Sequence, residues 1–339
     1  MLALGALCLL VFLYLRHTGS SLKLRREEGA YGDDSRTSKF VLYRPEKAKK
    51  ALPLVIFVHG GAFVQGSCTD YIPESFAKDI GRAGFIAATI EYPKIRDNYL
   101  EAFRLKELEM KAVAAAKKAA YYFIDHADEY GVDKNNIFIC GYSAGGFIAL
   151  HSMFTNGEEA ERYAGSSLAE GIKAVLDQPN PFRGIVAISG GLLTMDCVDD
   201  DDFKCPILLF HSETDSVFPY YYGRPFAAVA EKPRHFSLPR LSFILGIGSK
   251  GRLIDIDPSI IVPRSIMRFL RNWATNGQEV YGSGAIYEQY GNLDFCDIRL
   301  VKLQGPHQCF IKMDGRISKN YRKVRRIMLR FIKRNVHEE

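Results

Sequence analysis

From about residue 40 to 225 the chain alternates short unbroken apolar runs with longer stretches of helical spacing. Five runs lack polar alternation: Leu54–Val58, Phe85–Ile90, Ile137–Cys140, Gly184–Ile188 and Ile207–Phe210. A strand apolar on both faces is covered on both sides, as in a parallel sheet layered by helices. Between the runs, Tyr71–Arg82 and the Ala-, Lys-, Leu- and Glu-rich stretch Ala102–Glu129 read as helices. This order predicts an α/β fold, a mostly parallel, doubly wound sheet with right-handed crossovers and flanking helices. A last run, Asp297–Leu303, alternates apolar with polar and predicts an edge strand.

The stretch 223–284 breaks the rhythm. It has prolines at 225, 233, 239, 258 and 263 and glycines at 246, 248 and 251, and it reads as an inserted cap or lid. The core is therefore expected over 30–222 and 285–339. At the N-terminus an apolar run, Leu2–Leu15, is too short to span a bilayer but suits the h-region of a signal peptide or, with Arg16, Lys23, Arg25 and Arg26 behind it, a membrane anchor. Residues 1–20 are assigned to that role. The corresponding expectation is a secretory or membrane-associated protein, with association through 2–15. A buried N-terminal helix, or a cytoplasmic chain, is the alternative. Near the C-terminus, Val324, Ile327, Met328, Phe331 and Ile332 recur at helical spacing among many Lys and Arg, as expected for a closing helix with solvated charges; a basic amphipathic helix lying on an anionic membrane is the alternative.

Composition changes this picture little. The chain has 339 residues, 47% hydrophobic and 25% charged, which excludes disorder and a disulfide mini-scaffold. A net charge of +6, without a clustered basic motif, gives no case for a nucleic-acid partner. Seven cysteines include no C-x-x-C pair, and Cys140 reads as a core residue. Two motifs mislead. Gly246–Gly251 fits G-x-G-x-x-G but is followed by no clear helix, and the acidic run 196–202 lacks the ligand alternation of a calcium loop. No metal or organic cofactor is called for.

The chemistry lies just past strand ends, where open α/β sheets bind ligands. Gly141-Tyr142-Ser143-Ala144-Gly145 follows one strand and precedes a helical stretch, the context of a nucleophile elbow. His59-Gly60-Gly61-Ala62-Phe63 follows another, and its glycines free backbone N–H groups to face a developing oxyanion. One good donor of that kind contributes about 3 kcal/mol to a transition state. His59 itself is expected to order the loop. Asp215 follows the strand Ile207–Phe210, where a carboxylate can orient an imidazole; Glu213 is its competitor. A base is then required after the final strand. His307 fits, whereas His211 falls too early and His235 lies in the insertion.

These segments together resemble the α/β-hydrolase superfamily, specifically the esterase/lipase group with an HGG-type oxyanion loop. HGGAF is similar to that group's HGGG loop, Ile90-Glu91-Tyr92-Pro93 to the strand end that often reads D-Y-R, and Gly131-Val132-Asp133 through GYSAGG to its helix–strand–elbow passage. The resemblance covers about 40–222 and 286–335. It implies Ser143 as nucleophile, Asp215 as acid and His307 as base, with Gly60, Gly61 and Ala144 as the oxyanion hole. Three departures stand out: Ala62 for the third glycine, Pro93 for a frequent arginine, and 92 residues between Asp215 and His307. The expected activity is hydrolysis of a small-molecule carboxylic ester, with an apolar group suggested by the insertion, through an acyl-enzyme and without a cofactor. An amidase or peptidase with the same triad, and a non-catalytic binding protein on this fold, are the alternatives.

Overall fold

The apolar runs form the middle of an eight-stranded sheet. The structure, a computed structural model, describes residues 22–48, 50–95, 105–165, 168–195, 205–227, 278–292, 297–305, 307, 310 and 317–337. Its strands are β1 (Leu24–Ala30), β2 (Lys39–Pro45), β3 (Leu52–Val58), β4 (Ile86–Ile90), β5 (Val132–Tyr142), β6 (Gly184–Ile188), β7 (Gly191–Leu192), β8 (Ile207–Ser212), β9 (Tyr222–Gly223), β10 (Val280–Gly282) and β11 (Ile298–Leu303). The main sheet runs β1-β2-β4-β3-β5-β6-β8-β11. It is parallel from β4 to β11, and β1 and β2 are antiparallel additions at one edge.

Side-chain alternation explains why the central strands are apolar throughout. Leu54, Ile56 and Val58 pack into a core with α2 (Leu105–Asp125) and α3 (Ala144–Phe154). Val55 and Phe57 face the opposite core, with α1 (Tyr71–Arg82) and α7 (Lys319–Asn335). In α2 the buried face is rich in alanine (Ala112, Ala116, Ala119, Ala120), which lets the helix lie close to its neighbours. The stretch expected as one helix breaks at His126, and a single turn, Ala127–Tyr130, ends on Gly131 in the left-handed conformation (φ 68°). Two further helices, α4 (Gly157–Ala164) and α5 (Glu170–Leu176), pack against α2, and α6 (Ser283–Tyr290) follows β10.

The first strand is invisible to a hydrophobicity reading because it is mostly charged. Its Glu27 pairs with Arg44 at 2.8 Å and its Glu28 with Lys39 at 2.6 Å, both across to β2. Such exposed pairs add little stability individually. Their value is that a charged edge strand does not recruit another sheet. The core thus begins before residue 30, at Leu24.

The basic C-terminal segment closes the opposite face. Ser318 caps α7 by accepting the Tyr321 N–H at 3.2 Å, and Tyr321, Val324, Met328, Phe331 and Ile332 are buried against the sheet. Among the described residues no helix is long and apolar enough to cross a membrane. The expected signal or anchor over 1–20 lies outside the described residues, as do His235, the glycine motif at 246–251 and the acidic run at 196–202. Of the expected lid over 223–284, residues 228–277 also lie outside them. Its described flanks, β9 and β10, join β7 in a small three-stranded sheet.

Phe76 of α1 ties this face to the rim of the sheet. It is fully buried, stacks on Phe57 at 4.9 Å, and meets Tyr321 at 4.4 Å and Phe310 at 5.4 Å. Phe76→Ala is expected to cost about 3–5 kcal/mol in urea-unfolding free energy. A loss below about 1 kcal/mol would contradict this packing.

Candidate active site

Strand β5 runs straight into α3 with a single residue between them. That residue, Ser143, has φ 55° and ψ −122°, a left-side conformation that costs a non-glycine residue roughly 1–2 kcal/mol. Its N–H donates to Ile188 O on β6 at 2.8 Å. The turn requires glycine on either side. A β-carbon on Gly141 would lie 2.1 Å from Gly145 O, and one on Gly145 would lie 2.2 Å from Val58 O. Strand and helix therefore meet at backbone distance and lift Ser143 above the sheet.

His307, beyond the end of β11, reaches that hydroxyl. Its Nε2 is 2.9 Å from Ser143 Oγ, and its Nδ1 is 2.9 and 2.7 Å from the two carboxylate oxygens of Asp215. A carboxylate only accepts, so Nδ1 carries the proton and Nε2 is free to accept the serine O–H. Both Asp215 and His307 are buried. The competing carboxylate, Glu213, points to the surface and pairs with Lys302 at 2.6 Å.

Asp215 has more partners than the sequence suggests. Its Oδ1 accepts the N–H groups of Val217 and Phe218, both at 2.9 Å. On its other side lies His211, passed over as a base, with Nε2 at 3.4 Å from Oδ2 and 3.2 Å from Phe218 O. Those neighbours only accept, so His211 carries its proton on Nε2 and donates. Its Nδ1 is held by Ser283, with Oγ at 3.0 Å and the backbone N–H at 3.4 Å. Burial alone would raise the Asp215 carboxyl. The charge and hydrogen bonds of His307 and His211 outweigh it and hold the group well below the usual carboxylate range. The signal for His211 was its position, four residues before Asp215 at the end of the same strand.

The His59–Phe63 loop lies beside the elbow. Gly61, Ala62 and Phe63 all have positive φ, at 125°, 56° and 57°. A β-carbon on Gly61 would meet Gln65 O at 1.9 Å, whereas Ala62 adopts its left-handed backbone despite its methyl. The loop is anchored from behind. His59 is fully buried, donates from Nδ1 to Gly60 O at 2.6 Å and stacks on Tyr92 at 4.4 Å. The Tyr92 hydroxyl donates to His59 O at 3.1 Å. Glu91 lies 3.5 Å from His59 Nε2, pairs with Lys94, and accepts from Ser67 Oγ at 2.6 Å and the Cys68 N–H at 2.8 Å. Burial opposes its charge, but His59 and Lys94 keep the carboxyl well below its ordinary value. Ala144, the first residue of α3, has an N–H with no carbonyl to meet inside the helix.

A cleft opens at Ser143. Ala62, Phe63, Phe147, Val217 and Phe226 make most of its wall apolar, and Glu109 of α2, Tyr163 of α4 and Gln278 add polar groups. The tyrosines at 220–222 do not line it: Tyr220 packs against His211, and Tyr221 and Tyr222 are exposed. Among the described residues no group of His, Cys, Asp or Glu side chains is placed to hold a metal ion. Cys68, Cys140 and Cys205 are buried free thiols.

Comparison with known proteins adds an independent view. The BD-FAE family model matches residues 41–185. Gut esterase 1 of Caenorhabditis elegans is 32% identical over 117 residues, 34% of this chain and 20% of the relative. A probable isoprenylcysteine alpha-carbonyl methylesterase of Oryza sativa subsp. japonica is 28% identical over 173 residues, 50% of this chain and 36% of the relative. The matched stretches thus span well under half of either relative. Among solved structures, a truncated carbohydrate esterase from gut microbiota superposes with a TM-score of 0.54 at 15% identity, over 93% of this chain and 98% of that one. Thermogutta terrifontis esterase 2, phosphoramylated by tabun, gives 0.51 at 15% identity, over 91% and 94%. At these identities the likeness is one of fold.

The Glu109 carboxyl in the cleft wall yields a pH prediction. Burial pushes it up to about 7 from an ordinary 4.5, against the pull of Tyr163 and Lys106. The folded chain therefore holds this proton more tightly than the unfolded chain. Its stabilising contribution is complete below pH about 4.5 and is lost as pH rises through about 7. Glu109→Gln is expected to gain melting temperature over wild type progressively between pH 5 and 8. A difference that does not change with pH would contradict the assignment.

Proposed function

We propose that this chain, an α/β-hydrolase of the esterase/lipase type, cleaves carboxylic esters with Ser143 as nucleophile, His307 as general base and Asp215 as the acid that orients it. The observation that carries this reading is the continuous Ser143–His307–Asp215 hydrogen-bond chain, with 2.9 Å between Oγ and Nε2. The two relatives described above, moreover, are named as esterases, which favours an ester over an amide.

In this mechanism Ser143 Oγ attacks the ester carbonyl carbon as its proton passes to His307 Nε2. The carbonyl oxygen becomes an oxyanion, received by backbone N–H groups of Gly60 and Gly61 and by that of Ala144. The imidazolium returns its proton to the departing alcohol oxygen, which leaves an acyl group on Ser143. His307 next takes a proton from water as the water oxygen attacks the acyl carbon. Collapse expels Ser143 Oγ, which regains the proton, and releases the carboxylic acid. Asp215 stays ionised throughout. Its carboxylate fixes the Nδ1–H tautomer and stabilises the imidazolium, and His211, with two backbone amides, keeps the carboxylate in place.

Turnover of p-nitrophenyl acetate, butyrate and octanoate by wild type, Ser143→Ala and His307→Ala tests the proposal. Each variant is expected to lose at least about 10⁴-fold in kcat, and the double variant no more than either single one, because the groups act as a unit. Comparable turnover by wild type and Ser143→Ala would overturn it.

A further inference from the structure

The apolar cleft contains one group that packing does not explain. Glu109 is only 4% exposed, yet it is one of the residues that line the space at Ser143. Its Oε2 accepts the Tyr163 hydroxyl at 2.5 Å. Its Oε1 makes no hydrogen bond among the described residues, and the residue itself lines the cleft beside Ser143. Lys106, one turn earlier on α2, does not supply the missing partner. Its ammonium lies over the Tyr163 ring, 4.9 Å from the centroid.

The other buried charges on α2 are spent on structure. Lys117 donates to Leu176 O at 2.6 Å and Gln178 O at 2.7 Å, at the end of α5, and Glu107 pairs with Lys111 at 3.0 Å. Among the described buried charges of α2, Glu109 is the one that lines the cleft at Ser143. A buried carboxyl with half of its acceptor capacity unused is costly. Burial pushes the carboxyl up to about 7 despite the Tyr163 hydroxyl. A leucine in its place would line the same apolar wall without that cost. The arrangement gains when a ligand brings a donor to Oε1.

We infer that the cleft takes esters bearing a hydrogen-bond donor, a hydroxyl or an ammonium, which Glu109 receives on Oε1 while Tyr163 holds Oε2. This inference rests on the ester-hydrolase reading and names its substrate class. Glu109 is a specificity-determining residue that binds the remote end of the substrate and exchanges no proton with the reacting atoms. The apolar wall contacts the carbon chain between the two ends. An alkyl ester of the same shape leaves Oε1 unpaired, and discrimination of about tenfold or more in kcat/KM is expected for a group this buried.

The test uses esters that differ only in the terminal group. On the acyl side these are p-nitrophenyl butyrate, 3-hydroxypropanoate and 3-aminopropanoate, with a longer set matched in heavy atoms (heptanoate, 6-hydroxyhexanoate, 6-aminohexanoate). On the alcohol side they are propyl, 2-hydroxyethyl and 2-aminoethyl butyrate, followed by acid release. In at least one set wild type is expected to favour a donor-bearing ester over its alkyl isostere by about tenfold. Glu109→Leu is expected to bring that ratio to one or below. Glu109→Gln, which keeps the shape and an acceptor oxygen, is expected to lower the ammonium-to-hydroxyl ratio. Fluorophosphonate labelling of Ser143 reports whether each variant is folded; if Glu109→Leu is not, Glu109→Gln decides. Unchanged ratios in wild type and variants across all sets, with esters still turned over, would overturn the inference alone. Failure of wild type to hydrolyse or be labelled at Ser143 would overturn the ester-hydrolase reading beneath it.

Discussion

A β-carbon on Gly145 would sit 2.2 Å from the carbonyl oxygen of Val58 and 2.7 Å from that of His59. No side chain fits there, and the rest of the site follows from that closeness. It brings the start of α3 against the end of β3, so the Ser143 turn and the His59–Phe63 loop share one rim. Strand order places this contact between β3 and β5, where the chain switches direction of growth across the sheet. The positive φ of Ser143, Gly61, Ala62 and Phe63 is strain that the surrounding layers hold in place. His59 and Tyr92 brace the loop from below with hydrogen bonds to its own carbonyls and a stacked ring pair.

The second constraint is electrostatic. Asp215 has no exposed side-chain surface, and a bare carboxylate there would take up a proton. Two imidazoles and two backbone amides prevent this. Because Oδ1 already accepts from Val217 and Phe218, the carboxylate cannot rotate away from His307 without losing them. His211 extends the chain to Ser283 on α6, just past β10 and the segment 228–277. The rim is thus linked through His211 to the start of α6.

What the sequence made legible follows from how local each signal is. The elbow is written in five consecutive residues between a strand and a helix, and each glycine has a contact that requires it. The parallel strands are legible because burial on both faces removes polar alternation. Strand β1 was missed for the opposite reason, since its Arg and Glu residues are stabilised by cross-strand pairing, which no single run of sequence reveals. The structure brings Ser143, Asp215 and His307 within hydrogen-bond distance although 164 residues separate the first from the last. Chain order pointed to them, but only the sheet supplies the distances, and only the side-chain positions separate Asp215 from Glu213. Glu109 was illegible. Within a helix rich in Ala, Lys and Glu, one more glutamate reads as a solvated charge, and only the packing of α4 beside α2 shows that it faces a cleft.

The most direct test of the assembled site is the mapping of a fluorophosphonate adduct by peptide mass spectrometry, in wild type and in His307→Ala. One adduct is expected, on the peptide containing Ser143, formed at least about a thousandfold more slowly without the imidazole. An adduct on another residue, or equal rates in the two proteins, would contradict it.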